Sequence, residues 1–240
     1  MVRARRRPAG NKTGNRLLDA LPADEFEPIE RQLEPVDLDV RGWIYKSGSA
    51  IEFVHFPVRC VISLVTMMDD GRGVEIATVG REGMVGIPVF LQSAYTSAHE
   101  AFCQVPGPSL RMRAEPFGAL LSAGGTLHAL LQRYTQALFS QVAQSSACNR
   151  LHTIEQRCAR WLLQTHDRIG SDEFQLTQEF LAQMLGVQRS SVNAAAGAIQ
   201  ERGHIRYARG LITVLDRAGL EGDACECYRV IADEFDRLVP

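Results

Sequence analysis

The 240-residue chain has no run of about 18 apolar residues, so no segment reads as a membrane-spanning helix. Its basic start, Met1-Val2-Arg3-Ala4-Arg5-Arg6-Arg7-Pro8, has no apolar stretch behind it and does not read as a secretory signal. A cytoplasmic protein without a membrane role is expected. A Gly-rich phosphate loop, Gly-x-Ser-x-Gly and His-Glu-x-x-His are all missing. Nothing else argues for catalysis, and a non-enzyme is expected. No Cys-x-x-Cys pair occurs, which leaves zinc or iron–sulfur with little support. The cysteines stand at 60, 103, 148, 158, 225 and 227, and only Cys225-x-Cys227 is close. In an expected helix, residues two apart point different ways, so that pair reads as a poor chelate. The thiols read as free and packed, with redox sensitivity at Cys148 and Cys158 as the alternative. His55, His99, His128, His152, His166 and His204 show no ligand spacing, so no metal is expected. Trp43 and Trp161 read as core residues. The net charge of −2 gives no global pull toward nucleic acid.

What is present is ordinary in amount: 45% hydrophobic and 22% charged residues, enough for a folded core. Residues 1–15 are polar and basic and are expected to form a disordered arm. Residues 16–33 read as helical, broken at Pro22 and Pro28. From Val36 to Arg113 short β-rich runs follow, at 51–56, 61–66, 74–79 and 101–105, separated by Gly- and Pro-containing turns. This spacing predicts an antiparallel sandwich or barrel, with Asp70-Gly71 as a hairpin turn. The period then changes to about 3.6. Leu127, Leu131, Tyr134, Leu138 and Val142 fall on one face of a helix expected over 115–146, with Gly124-Gly125 as a break near its start. So long an apolar stripe needs a partner, either the β domain or the same helix of a second subunit; a two-fold helix pair is the preferred reading. Residues 150–169 read as another helix, with Ile154, Cys158, Trp161 and Leu162 on one side.

The segment after Gly170 is the most informative. Thr177 can cap a helix carrying Phe180, Leu181, Met184 and Leu185, which Gly186 ends. A second helix from about Arg189 to Glu201 has Val192, Ala195, Ala196 and Ile199 on its inner face. Ile205-Arg206-Tyr207 and Leu211-Ile212-Thr213-Val214 then bracket Ala208-Arg209-Gly210 as a small hairpin. Helix, Gly turn, helix and hairpin make a winged helix-turn-helix. The outer face of the second helix shows Gln188, Arg189, Ser190, Asn193, Gly197 and Gln200, with no acid before Glu201. A major groove needs donors and acceptors there and no carboxylate near phosphate. Arg189 suits guanine, Asn193 suits adenine, and Ser190 and Ser191 suit phosphate or base contacts. Arg206 and Arg209 suit backbone phosphates. An αα-corner with a solvated polar face is the competing account.

The run Leu176-Thr177-Gln178-Glu179-Phe180-Leu181-Ala182-Gln183-Met184-Leu185-Gly186-Val187-Gln188-Arg189-Ser190-Ser191-Val192 resembles the helix-turn-helix signature of the Crp/Fnr superfamily of bacterial transcription regulators. The resemblance extends over nearly the whole chain. It implies an α+β protein with an N-terminal, jelly-roll-like antiparallel β-roll (16–114) related to cyclic-nucleotide-binding domains. A dimerisation helix (115–146) and a C-terminal winged helix (147–240) would follow. It implies a phosphate contact at Thr177 and operator reading from Arg189 onward. The DNA-binding set is then Thr177, Gln178, Gln188, Arg189, Ser190, Ser191, Asn193, Arg206 and Arg209. The cyclic-AMP-responsive branch carries Arg-Glu and a second Arg on its recognition helix; here Ser190 and Ala194 replace the last two, so its operator does not carry over.

Cyclic-nucleotide binders of the family resemble one another in a Gly-Glu-Leu turn and an Arg-Ser or Arg-Thr about ten residues later. Here Gly86-Ile87-Pro88 and Ser97-Ala98 stand in those places, so both charged groups are missing. A buried phosphate without a counter-charge is costly. Gly86, Ile87, Ser97, Ala98 and His99 therefore read as a degenerate effector pocket, with no cofactor and an unknown or absent effector instead of cyclic AMP. No cysteine precedes Cys60, so the N-terminal iron–sulfur cluster of the oxygen-sensing branch is not expected either. The expected partners are double-stranded DNA, a second copy of the chain and, in transcription, RNA polymerase. The rival reading is a small-molecule or redox sensor that acts through a protein partner.

Overall fold

The computed structural model describes residues 13–91, 95–121 and 124–239. The expected basic arm falls outside these residues except at its end. There Asn15 is buried and donates to the carbonyls of Pro57 and Gly83, each at 2.9 Å. Its side-chain oxygen caps the first helix, α1 (Arg16–Asp19). Helix α2 (Ala23–Glu30) follows and contains Pro28 without breaking. The carbonyl that loses its partner there belongs to Asp24, an exposed residue that water can satisfy.

Among the described residues seven strands form the roll: β1 (Glu34–Leu38), β2 (Trp43–Tyr45), β3 (Phe53–Pro57), β4 (Val61–Met67), β5 (Gly73–Val79), β6 (Glu100–Val105) and β7 (Gly107–Arg113). They pair antiparallel in two sheets, ordered β1-β7-β3 and β2-β6-β4-β5, with a short helix α3 (Ile87–Phe90) before β6. The four β-rich runs are β3, β4, β5 and β6, and Asp70-Gly71 lies in the β4–β5 connection. Val54, Phe56 and Met112 of one sheet meet Ile62, Val79 and Ala101 of the other in one core. Trp43 is 51% exposed, contrary to expectation, with its ring edge-on to Phe102. Trp161 is buried as expected.

The helix expected over 115–146 is two helices, α4 (Ala114–Leu121) and α5 (Thr126–Leu151). Gly125 stands at φ 95° just before α5, and the Glu25 carboxylate accepts from the Thr126 and Leu127 amides at its start. Helix α5 runs past 146, so the next helix, α6 (Ile154–Ile169), begins later than expected, at a Thr153–Gln156 capping box. Beyond it lie β8 (Glu173–Gln175), α7 (Gln178–Leu185), α8 (Arg189–Glu201), β9 (Ile205–Ala208), β10 (Leu211–Val214), α9 (Arg217–Asp223) and α10 (Cys227–Leu238). Cys225 precedes α10 and is not helical, which corrects the placement of Cys225-x-Cys227 within one helix.

Strand β4 is covered on both faces. Ile62 enters the roll core, while Val61 and Val65 join Phe102, Trp161, Phe180 and Leu181 in a second core that belongs to the C-terminal half. Two-sided burial explains why this run is apolar at nearly every position. Polar groups register the two halves. Glu75 receives the Trp161 indole N–H at 2.8 Å, and Gln104 donates to Thr165 Oγ1 at 3.2 Å, which in turn donates to the Trp161 carbonyl at 3.0 Å. Ser63 Oγ lies 2.7 Å from both Glu75 Oε2 and Gln104 Oε1, yet its one proton serves only one of them. A protonated Glu75 resolves this: it donates to Ser63, and Ser63 donates to Gln104. Burial pushes the Glu75 carboxyl up to about 7, against the pull of its Ser63 and Trp161 hydrogen bonds and of Arg160 and Arg168. Nearby, Arg168 pairs with Glu82 at 2.8 Å, both side chains under a tenth exposed.

Because folding raises this pKa from 4.5 to about 7, the native state holds the extra proton between those values and loses stability as pH rises through that window. Glu75→Gln keeps a donor toward Ser63 and an acceptor for Trp161. The stability of this variant relative to the native chain is expected to grow from pH 4.5 to 7 and level off above. Urea unfolding of both chains at a series of pH values checks this; parallel curves would refute it.

Candidate nucleic-acid interface

Thr177 caps α7, its hydroxyl accepting from the Phe180 amide at 3.2 Å. Gly186 ends α7 in the left-handed region at φ 64°, which turns the chain into α8 within three residues. The inner face of α8 buries Val192, Ala195, Ala196 and Ile199. Its outer face exposes Gln188, Arg189, Ser190, Asn193 and Gln200, with Ser191 and Gly197 half-buried. The first turn of α8 contains no acid and Gln188 provides no side-chain cap, so the amides at this end remain available to an anion.

Three contacts hold this face in shape. The Gln178 amide donates to Asn193 Oδ1 at 2.7 Å, which turns the Asn193 NH2 group away from α7. The Tyr207 backbone amide donates to Gln200 Oε1 at 2.6 Å, and the Tyr207 hydroxyl donates to the Leu176 carbonyl at 2.9 Å. Gln200 thereby fastens α8 to the wing, a role the sequence reading did not assign to it. The wing is the antiparallel sheet β8-β10-β9. Arg209 and Gly210 have φ 51° and 77° between the paired residues Ala208 and Leu211, a two-residue turn in which both positions require positive φ. Arg209 thus sits exposed at the tip, without an ion pair among the described residues. Arg206 faces Glu173 across the wing at 3.6 Å and donates to Thr213, so it is tied to the sheet.

The stripe on α5 has the other of its two expected partners. Leu127, Leu131 and Tyr134 are buried in the core of the same chain, and the Tyr134 hydroxyl donates to the Met84 carbonyl at 2.9 Å. Leu138 is half-buried against that core and Val142 is half-buried too. The roll buries Leu127, Leu131 and Tyr134, which corrects the preferred assignment of these three to a helix pair. Of the degenerate pocket, Gly86 has φ 112° and packs on Val54 before α3 with half-buried Ile87. Around Ser97, Ala98 and His99, the Gly48 amide donates to the Ser97 carbonyl, Ser47 donates to that of Ala98, and His99 Nδ1 meets Thr66 Oγ1.

A helix-turn-helix with a wing, joined through a long helix to a β-roll, defines a DNA-binding transcriptional regulator. Residues 156–222 match the Crp-like helix-turn-helix domain family. The chain is 23% identical over 196 residues to the CRP-like cAMP-activated global transcriptional regulator of Mycobacterium tuberculosis, covering 78% of this chain and 87% of that one. Its fold is similar to that of a crp/fnr-family transcriptional regulator from Eubacterium rectale (TM-score 0.62, 19% identity, 89% of this chain and 97% of that one). It is also similar to FixK2 from Bradyrhizobium japonicum (TM-score 0.67, 15% identity, 80% and 98%). Residues 156–222 thus form a Crp-like helix-turn-helix domain, and the chain as a whole is similar in fold to transcriptional regulators of the Crp/Fnr type.

Thr177→Ala removes the cap of α7 and is expected to lower stability by about 1 kcal/mol, with Thr177→Ser retaining it. Denaturant midpoints of the three chains test this; equal midpoints for alanine and threonine would place the hydroxyl outside the fold's energetics.

Proposed function

We propose that the chain acts as a homodimer that places its two α8 helices in successive major grooves of an inverted-repeat operator, about one helical turn apart. The observation that carries this reading is the exposed, acid-free face of α8, bearing Arg189, Ser190 and Asn193 beside the wing tip at Arg209. Arg189 and Asn193 read bases, while Thr177, Gln178, Gln188, Ser190, Ser191 and Arg209 hold phosphates or support the readers. Arg206 contributes by shaping the wing. Selection of duplexes from a random pool by the purified chain, with no added ligand, tests the reading. Enrichment of an inverted repeat supports it. Binding that ignores both sequence and salt would instead favour a sensor acting through a protein partner, because phosphate contacts release counterions. Arg189→Ala is expected to weaken binding by about 1–3 kcal/mol and to relax preference at one base pair; uniform weakening across sequences would make Arg189 a phosphate contact.

The dimer seam we assign is the outer face of α5. Ala129, Gln132, Gln136, Phe139, Ala143 and Ser146 are not part of the roll core and recur at alternating steps of three and four residues, the spacing of a helix pair. Phe139 is 72% exposed in the single chain, and Leu151 at the end of the same helix 77%. Phe139→Glu is expected to weaken self-association by about 2 kcal/mol or more. Sedimentation of both chains measures it, and an unchanged dimer would move the seam elsewhere.

The curated mycobacterial relative is described as cAMP-activated. We do not extend that ligand to this chain. Gly86-Ile87-Pro88 and Ser97-Ala98, which stand where the family resemblance puts the phosphate-binding group, bring no positive charge, and Phe56, Met84, Met112 and Tyr134 fill the roll beneath α5.

A further inference from the structure

Three cysteines and a histidine from two distant stretches of the sequence meet at the end of α5. Cys148 and His152 are one turn apart on that helix, His152 being its C-cap. Cys225 lies between α9 and α10, and Cys227 opens α10. The three sulfurs and a His152 ring nitrogen all fall within 4.8 Å of one another. Cys148 Sγ is 3.5 Å from Cys225 Sγ, and Cys227 Sγ is 3.5 Å from His152 Nδ1.

These separations suit one ion. A tetrahedral zinc bound at about 2.3 Å by sulfur and about 2.0–2.1 Å by nitrogen spaces its ligand atoms roughly 3.5–3.8 Å apart. An iron–sulfur cluster has several irons between its thiolates and needs a wider cage. The surroundings are also those of a metal site. His152 Nε2 lies 3.2 Å from the Glu226 carboxylate, which would fix the ring with Nδ1 free to ligate. Gln144 donates to Cys227 Sγ at 3.1 Å. Arg157 and Arg160 bring positive charge toward Cys148, which suits three thiolates on a divalent ion. All three cysteines are buried. We propose that Cys148, His152, Cys225 and Cys227 form a Cys3His site for a single tetrahedral zinc ion. The ion joins three segments: the end of α5, the α5–α6 junction at His152, and the start of α10. It therefore fixes the bend from which α6 carries the winged helix.

The test uses the full-length chain, purified under reducing conditions. Elemental analysis is expected to find about one zinc per chain, and replacement by cobalt(II) is expected to give thiolate charge-transfer and tetrahedral ligand-field bands. Cys227→Ser should lower zinc affinity at least about a hundredfold in competition with a chromophoric chelator. Glu226→Gln, an exposed change that removes no ligand, should lower it about 10–100-fold. Cys103→Ala, outside the cluster, should leave the stoichiometry unchanged. Should Cys227→Ser fail to fold, the cobalt spectrum of the native chain and the Glu226→Gln titration still decide. A native chain that takes up no zinc when offered the metal alone overturns the proposal. So does a cobalt adduct without thiolate bands, or a Cys148–Cys225 disulfide in the reduced preparation.

Discussion

A largely buried polar ring between the roll and α6, beside the apolar core the two halves share, sets where the winged helix sits. Glu75, Ser63, Gln104, Thr165 and Trp161 close on themselves, with three members on the roll and two on α6. Apolar contacts alone would let a helix slide over a sheet at little cost. A closed set of hydrogen bonds has one register, and any shift leaves a buried polar atom without a partner. The Arg168–Glu82 pair beside it adds to the same constraint. A buried ion pair contributes little net stability over an apolar replacement, yet breaking it strands a charge. The seam therefore fixes position more than it adds stability. Because α7 and α8 pack on α6, fixing α6 fixes the direction in which Arg189 and Asn193 point.

Helix α5 separates two tasks by face. Its inner side completes the roll through Leu127, Leu131 and Tyr134, and its outer side keeps Phe139 and small or amide side chains exposed. Large apolar residues in the inner row and small ones in the outer row are what a helix needs if it is to be held firmly by one neighbour and approached closely by another. A single hydrophobic-period reading finds only the inner row, because that row carries the larger side chains.

The same limit explains which parts of the molecule were legible in sequence. The winged helix was readable because its determinants are local: a threonine cap, a glycine needing positive φ, a four-residue apolar spacing and a two-residue turn. The runs that alternate or fill both faces of β4, β5 and β6 were readable for the same reason. Strands β1 and β7 were not, since Pro35, Asp37 and Pro108 interrupt their patterns; β2 is only three residues long, and the pairing partners of all three lie far away in sequence. Glu75 gave no sign of its role, because nothing in a strand sequence says which carboxylate a tryptophan will find. The thiol and imidazole cluster was half visible. Cys148 and His152 have the four-residue spacing that puts two ligands on one helix face, but Cys225 and Cys227 are brought to them only when α10 folds back on α5.

The two joints differ in chemistry. The seam responds to protons through Glu75, and the α5–α6 junction carries thiols and an imidazole. A signal alters DNA binding only if it favours one spacing of the recognition helices over another. The roll interior under α5 is filled with apolar side chains such as Phe56, Met84, Met112 and Tyr134. The junction at His152 is different in kind. One bond made or lost there acts on α5, α6 and α10 together, and α5 presents the proposed seam between subunits while α6 supports the reading helix. A change confined to those few atoms would act directly on α5, the helix of the proposed seam, and on α6, which carries α7 and α8.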